Sequence, residues 1–475
     1  MKIRSLLNLL NWEGKGGIFR IFKLFIKVKS INKEKTMEVM KFGGTSVGSP
    51  ERMQGVAKLI TKSGDSTFVV LSAMSGTTNS LVEISDYLYK KNPEGAQEVI
   101  NKLEKKYMAH VEELYSTDAM KKKTSGFLKK EFEYLRSFTK DTFTSFEEKI
   151  VVAQGEVMST NMVTNYLNEQ GVKTILLDAL DFMRTDKNAE PDMPYIKEHI
   201  TKVLKANPGY QIYITQGFVC RNAYDEVDNL QRGGSDYTAS LIGAAIGADE
   251  IIIWTDIDGM HNNDPRFVEK TDAVHQLNFE EAAELAYFGA KILHPTCVQP
   301  AKFAGIPVRI KNTMEPEAEG TVINNELVKG KIKAVAAKDN ITAIKIKSSR
   351  MLLATGFLRK IFEIFETHNT PIDMITTSEV GVSVSIDNSS NLGRIVDELK
   401  KYGSVTVDEN MCIICVAGDL DWSNVGFETL VTDAMANIPV RMISYGGSNY
   451  NISFLIKAED KKKALQNLSA KLFDK

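Results

Sequence analysis

Cysteine is scarce: Cys220, Cys297, Cys412 and Cys415 are the only four in 475 residues. So few thiols in so long a chain cannot build a disulfide framework, and this usage fits a reducing, cytoplasmic setting. Cys412 and Cys415 form a CxxC, but the aliphatic fillers of MCIICVAG read as a strand. Residues three apart on a strand face opposite ways, so neither a metal pair nor a redox pair is expected. An excess of one charge is also missing, the net value being −2, which removes nucleic acid as the main partner. Apolar runs are too short for a membrane: GIFRIFKLFIKVKS is broken by Arg20, Lys23 and Lys27, well short of the roughly 20 residues that span a bilayer. The acidic loop TDIDGMHNNDPR misplaces the glycine and closing glutamate of an EF-hand, so no dedicated metal site is expected.

With 43% hydrophobic residues, the chain can bury large cores, and about 150 residues per domain implies about three domains. Residues 1–36 stand apart. They carry nine Lys/Arg against Glu13 and Glu34, a basic extension that resembles neither a cleavable signal nor a two-signal membrane anchor. Met37 stands just before the first strand, and the extension is read as a disordered tail or as lying upstream of the working start.

The chain is organised around MKFGGTSVG. Val39, Met40 and Phe42 read as a buried strand, broken by Gly43 and Gly44 just after Lys41. Paired glycines let backbone N–H groups approach a phosphate because no Cβ intervenes, and Lys41 supplies charge. Ser49 and Pro50 suit the N-cap and first position of a helix whose apolar face is Met53, Val56, Ala57 and Ile60. The lysine precedes the glycines and no GxxxxGK[ST] is nearby, so this is not a P-loop.

The same rhythm recurs. FVVLSAMSGTTNSL is a strand running into Ser72, Ser75, Gly76, Thr77, Thr78 and Asn79, where an open α/β sheet places its ligand, ahead of a helix over 79–88. Residues 94–149 show helical spacing without strands and read as an insertion without chemistry. In KIVVAQGEVMSTNMVTNYL, Gly155 and Glu156 interrupt an apolar run before the next helix. A carboxylate among apolar neighbours is costly unless paired, and a substrate ammonium is its simplest partner. Strands at 174–177 and 211–216 flank a helix over 194–204. In LQRGGSDYTASLIGAAIGA, Arg232 is a bidentate clamp for a carboxylate. Gly233 and Gly234 form a second glycine turn. Asp236 opens a helix, and an aspartate in an anion-attracting position needs a cation nearby, a lysine or a bound Mg²⁺. A strand over 250–254 leads to Thr255, Asp256, Asp258, Asp264 and Arg266, and YFGAKILHP places Lys291 between Gly289 and His294. Strands alternating with helices from Met37 to about Lys311 predict an α/β fold, an open, mainly parallel sheet sandwiched by helices with its site along one edge.

KFGGTSVG, LSAMSGTTN, QGEVMST, RGGSDYTA, WTDIDG...DPR and YFGAKILHP, in this order, resemble the motifs of the aspartate kinases of the amino-acid kinase superfamily, over the chain from about Met37 to its end. The resemblance implies transfer of the γ-phosphoryl of ATP, supplied with Mg²⁺ carried mainly by the nucleotide, to the β-carboxylate of L-aspartate. The product, 4-phospho-L-aspartate, opens lysine, threonine and methionine biosynthesis. By resemblance Lys41, Asp236 and Lys291 are catalytic. Ser72, Thr78, Glu156, Arg232, Gly233, Gly234 and Ser235 bind aspartate. Lys41, Phe42, Gly43, Gly44, Thr255, Asp256, His261, Arg266, Lys291 and Ile292 bind the nucleotide. The pattern departs at His261, where many relatives have a tyrosine, at Gln231, and at Phe218-Val219-Cys220, with an unusual acidic DEVDN ahead of the RGGSD turn. A kinase for another amino acid such as glutamate, and a silent amino-acid sensor, are the alternatives; retention of Lys41, Asp236 and Lys291 argues against the second.

Beyond Gly320 the pattern becomes two short βαββαβ units. They resemble the tandem ACT domains of the family, about 341–408 and 321–340 plus 409–475, so that 37–320 is the catalytic domain. RMLLATGFL and PIDMITTSE are similar to effector-binding stretches of lysine-sensitive members. The resemblance carries Met351, Gly356, Phe357, Leu358, Ile372, Asp373, Ser378 and Glu379 over as effector contacts, Ala354 standing where some relatives have serine. Lysine is the expected effector and threonine the second candidate. A homodimer through the ACT domains is implied, and no dinucleotide-binding unit is expected after Lys475.

Overall fold

A computed structural model of the chain describes residues 37–62, 64, 66–140, 142–230, 233–290, 293–351 and 355–473. It begins with β1 (Glu38–Phe42), α1 (Pro50–Thr61), β2 (Thr67–Leu71) and α2 (Thr77–Tyr89). The insertion forms two helices, α3 (Pro93–Leu114) and α4 (Asp118–Ser137), and its last residues open α5 (Ser145–Glu169). Next come β3 (Thr174–Leu177), α6 (Met193–Ala206), β4 (Ile212–Gln216), the hairpin β5 (Val219–Arg221) and β6 (Val227–Asn229), and α7 (Gly234–Ile246). β7 (Ile251–Thr255) is followed by the pair β8 (Met260–His261) and β9 (Ala273–Val274), β10 (Gln276–Asn278), α8 (Phe279–Tyr287), α9 (Gln299–Ala304), β11 (Val308–Asn312) and β12 (Thr321–Asn324).

Eight of these strands form one sheet in the order β10-β12-β11-β7-β1-β2-β4-β3. Every pair from β11 to β3 is parallel, and β12 returns antiparallel to β11. Both faces are covered, so each strand feeds two cores with period two. Val39 joins the core that holds Phe182 and Ile242, whereas Met40 and Phe42 join the one built with the insertion helices. Ser49 caps α1 by accepting from Arg52 N, with Pro50 at the first position, as expected.

Two local readings change. The helix expected from Asn79 starts at Thr77, because Gly76 takes up a left-handed N-cap with φ 80°. Gly155 and Glu156 do not interrupt a helix; α5 runs unbroken through both. A Cβ on Gly155 would lie 2.7 Å from Ala73 Cβ, so the glycine is there for close approach to the loop after β2. That contact outweighs the roughly 1 kcal/mol helix cost of glycine.

The remainder comprises β13 (Ile332–Lys347), α10 (Phe357–Thr367), β14 (Ile375–Ser378), β15 (Gly381–Ile386), α11 (Leu392–Leu399), β16 (Ser404–Gly418), α12 (Phe427–Ala434), β17 (Val440–Ser444), β18 (Asn451–Lys457) and α13 (Lys461–Leu472). Six strands form an antiparallel sheet, β14-β15-β13-β16-β18-β17. The two long central strands are shared between two modules and bend at Asn340 and Asn410, both with positive φ. Each module has its own core, around Ile344, Phe365 and Val384 in one and around Cys412, Val431 and Phe454 in the other. Cys412 lies in the second module's core and Cys415 on the opposite face, against the large sheet's core, as strand geometry requires. The regulatory region read from residue 321 loses its first strand: β12 hydrogen-bonds into the large sheet. Residues 333–337 pair with β16 in the second module, as expected.

Candidate active site

Parallel pairing brings the C-terminal ends of β1, β2, β4, β7 and β11 to one edge of the sheet, where open α/β folds hold ligands. There a cleft of about 230 Å³ is lined by Lys41, Ser72, Thr78, Glu156, Phe218, Gly233, Gly234, Ser235 and Asp236. Eight of these were singled out from the sequence. Lys41 Nζ lies 2.7 Å from Asp236 Oδ1, with the two side chains 12% and 17% exposed. Lys41 thus places a cation beside Asp236. Gly233 adopts φ 72° as the N-cap of α7, a conformation that glycine enters without strain. Gly44 is pressed against the next loop: its carbonyl accepts from Ser75 N, and a Cβ on it would lie 2.8 Å from Ala73 O.

Glu156 projects from the middle of α5 and is buried. Its Oε1 accepts from Ala73 N at 3.1 Å, while Oε2 has no hydrogen-bond partner among the described residues. Burial pushes its pKa up to about 7, against the backbone hydrogen bond from Ala73 that works the other way. A buried acceptor on the cleft wall is ready for a donor or a cation.

Phe42, placed beside the nucleotide by resemblance, is a core residue. Its ring is fully buried and stacked on Trp254 at 5.8 Å, because alternation along β1 turns Lys41 to the site edge and Phe42 into the helical core. His261 and Arg266 line a separate cavity of about 410 Å³, walled also by Gly289, Ala290 and residues 335–337 of β13. His261 is tied by Nε2 to Asp258 at 2.9 Å and by Nδ1 to Thr271 at 2.7 Å, and the exposed Arg266 guanidinium is held by Asp264 at 2.7 Å. Thr255 ends β7 and Asp256 follows it exposed. Arg232, Lys291, Ile292, Gln231 and Ala354 lie outside the described residues. Among the described residues no group of three or more His, Cys, Asp or Glu is placed to hold a metal, and no helix is long and apolar enough to cross a membrane.

The residues assigned to an effector divide. Phe357 is buried in the first module's core, and Met351 and Ile372 pack against it. Gly356 is the left-handed N-cap of α10; Leu358, Ser378 and Glu379 are exposed. Asp373 already has partners, since Lys338 Nζ lies at 2.7 Å and the Tyr287 hydroxyl at 2.9 Å. Sequence spacing gave no sign of Lys338, Tyr287 or the cleft residue Phe218. Phe218 had stood out only as a departure from pattern, and it takes φ 69°.

Residues 36–312 match the amino acid kinase family and residues 414–472 match the ACT domain, so the chain belongs to the amino acid kinase family. It is 34% identical over 463 residues to aspartokinase 1, chloroplastic, of Arabidopsis thaliana, covering 92% of this chain and 80% of that protein. It is 32% identical over 448 residues to lysine-sensitive aspartokinase 3 of Escherichia coli strain K12, covering 92% and 99%. The crystal structure of E. coli aspartokinase III in complex with aspartate and ADP superposes with a TM-score of 0.78 at 32% identity, covering 92% of this chain and all of that one. Within the family the chain is an aspartate kinase, transferring the γ-phosphoryl of ATP to the β-carboxylate of L-aspartate.

Proposed function

We propose that the 230 Å³ cleft is where the two anions of this reaction meet. The observation that carries the reading is the Lys41–Asp236 pair at 2.7 Å on the cleft wall. The β-carboxylate of aspartate is ionised at pH 7, so the reaction needs no general base; it needs compensation of negative charge. Lys41 faces the β- and γ-phosphates, its ammonium aimed by Asp236, and the Cβ-free turn of Gly43 and Gly44 completes the phosphate site. The carboxylate oxygen forms a bond to the γ-phosphorus as the bond to the bridging oxygen breaks, leaving ADP and an acyl phosphate. Lys291 stabilises the same developing charge.

Glu156 takes the substrate α-ammonium on its free Oε2, Arg232 clamps the α-carboxylate, and Ser72, Thr78, Gly233, Gly234 and Ser235 supply hydrogen bonds. The nucleotide arrives as its Mg²⁺ complex, the metal neutralising part of the phosphate charge. Thr255, Asp256, His261 and Arg266 hold the nucleoside end. Residues 37–324 form the catalytic domain and the two ACT modules the regulatory one, binding lysine as an inhibitor and joining two chains into a cytoplasmic homodimer. The lysine-sensitive E. coli relative supports that effector.

Trapping the acyl phosphate with hydroxylamine tests the reading: aspartate with Mg-ATP gives a hydroxamate, suppressed by lysine more than by threonine. Better turnover of glutamate would overturn the substrate, and full activity of Lys41→Ala would overturn the site.

A further inference from the structure

The glycine turn after β1 is tied sideways across the sheet by a side-chain relay that ends on Thr313, the residue after β11. Thr313 donates its backbone N–H to Thr255 O at 2.9 Å and its hydroxyl to the same oxygen at 2.6 Å. Ser46 Oγ lies 2.9 Å from Thr313 Oγ1. A hydroxyl has one proton, and that of Thr313 is already given to Thr255, so Ser46 is the donor in this contact. Ser46 is 3% exposed, and its backbone N–H closes the turn onto Gly43 O at 3.0 Å.

The sheet order β11-β7-β1 makes this a bridge over three neighbouring strand ends. It starts beside β11, crosses the last residue of β7, and ends inside the turn that follows Lys41. On its other side the turn is held by Ser75 N donating to Gly44 O at 3.1 Å. Neither Ser46 nor Thr313 lines the cleft or the nucleotide-side cavity.

We infer that Ser46 and Thr313 are positioning residues that fix the phosphate turn relative to the loop after β7, so that Lys41 and the Gly43–Gly44 backbone meet the triphosphate in register with the nucleoside. The inference rests on reading residues 43–44 as the phosphate site. Displacing a reacting group by about 1 Å costs on the order of 100-fold in rate, so a device that stops a turn from drifting has catalytic value without contacting the substrate.

Thr313→Val preserves shape and backbone N–H but leaves the buried Ser46 hydroxyl without its acceptor. It is expected to lower kcat/KM for ATP by about 10-fold, given the steepness of rate with position, with KM for aspartate close to wild type and a thermal midpoint lowered by only a few degrees. Thr313→Ser, which keeps the hydroxyl, should restore activity. Because the two hydroxyls act as one bridge, Ser46→Ala combined with Thr313→Val should be no worse than the more damaging single change. Wild-type kinetics in Thr313→Val, failure of Thr313→Ser to rescue, or additive losses in the double variant would each overturn the inference. Lys41→Met is assayed alongside. If it keeps full turnover, the phosphate-site reading falls and takes the bridge with it; if it is inactive while Thr313→Val is normal, the bridge alone is refuted.

Discussion

Lys338 Nζ lies 2.7 Å from Asp373 Oδ1 and 2.9 Å from Asp387 Oδ2, so an internal ammonium already sits on an acid that the family resemblance assigns to the effector. Burial works against the charge on Lys338, but its hydrogen bonds to the two carboxylates prevail and hold its pKa above the ordinary lysine value. Tyr287, the last residue of α8, donates its hydroxyl to Asp373 at 2.9 Å, and the Lys338 ammonium lies 4.4 Å from the centre of its ring. The acid assigned to effector binding thus joins the catalytic and regulatory regions.

An effector that brings its own ammonium to Asp373 must compete with Lys338. Lys338→Met is therefore expected to lower the lysine concentration for half-inhibition by about 5-fold or more, the lower end of ordinary coupling between sites, while Lys338→Arg stays near wild type. Inhibition curves decide this; an unchanged or raised half-inhibitory concentration in Lys338→Met would show that the two ammonium groups do not compete.

Glu156 makes substrate capture and stability depend on pH in opposite senses. Its pKa rises from the ordinary 4.5 to about 7 in the folded protein, so the folded state holds a proton that the unfolded chain has released. The ligand-free protein should therefore lose stability as pH rises from about 4.5 to 7. Capture of an ammonium needs the ionised form, so kcat/KM for aspartate should climb over the upper part of that range. Melting curves at pH 5.5 and 8 and a pH–rate profile check both slopes. Glu156→Gln should flatten both and raise KM for aspartate.

Asp236 acts through Lys41. Asp236→Asn keeps the size of the side chain and removes the charge that aims the ammonium, and a loss of about 100- to 1000-fold in kcat is expected, the scale of removing one preorganised electrostatic group. Steady-state kinetics with a folded, monodisperse variant measure it. A loss confined to KM for ATP would instead make the aspartate a binding residue.

Phe42 tests the division of labour along one strand. Phe42→Ala should cost about 3–5 kcal/mol in urea unfolding, as expected for a large buried ring. Phe42→Leu, which keeps most of the bulk, should leave KM for ATP within about 2-fold of wild type, since a core contact carries little differential binding. A large rise in KM with unchanged stability would return Phe42 to the nucleotide site.

Much of this was legible in the chain because it is local. Ser49 and Pro50 announce the start of α1, the glycines after Lys41 and after Arg232 announce turns, and alternation of strand and helical patterns implies a sheet with its loaded loops on one edge. Glu156 was legible as a carboxylate in apolar company, but the length of α5 was not: Gly155 weakens a helix by local propensity and is kept helical by its contact with Ala73.

The amino-acid sequence by itself determined the elements, the two glycine turns and the residue types able to balance a triphosphate against a carboxylate, since these follow from backbone preference, periodicity and charge. Tertiary structure alone decided which of those charges meet. Lys41 finds Asp236, and Asp373 finds Lys338, only after β1, β2 and β7 pair in parallel and the regulatory sheet packs against α8. Pairings between residues far apart in the chain are set by the geometry of the whole sheet, which no local pattern encodes.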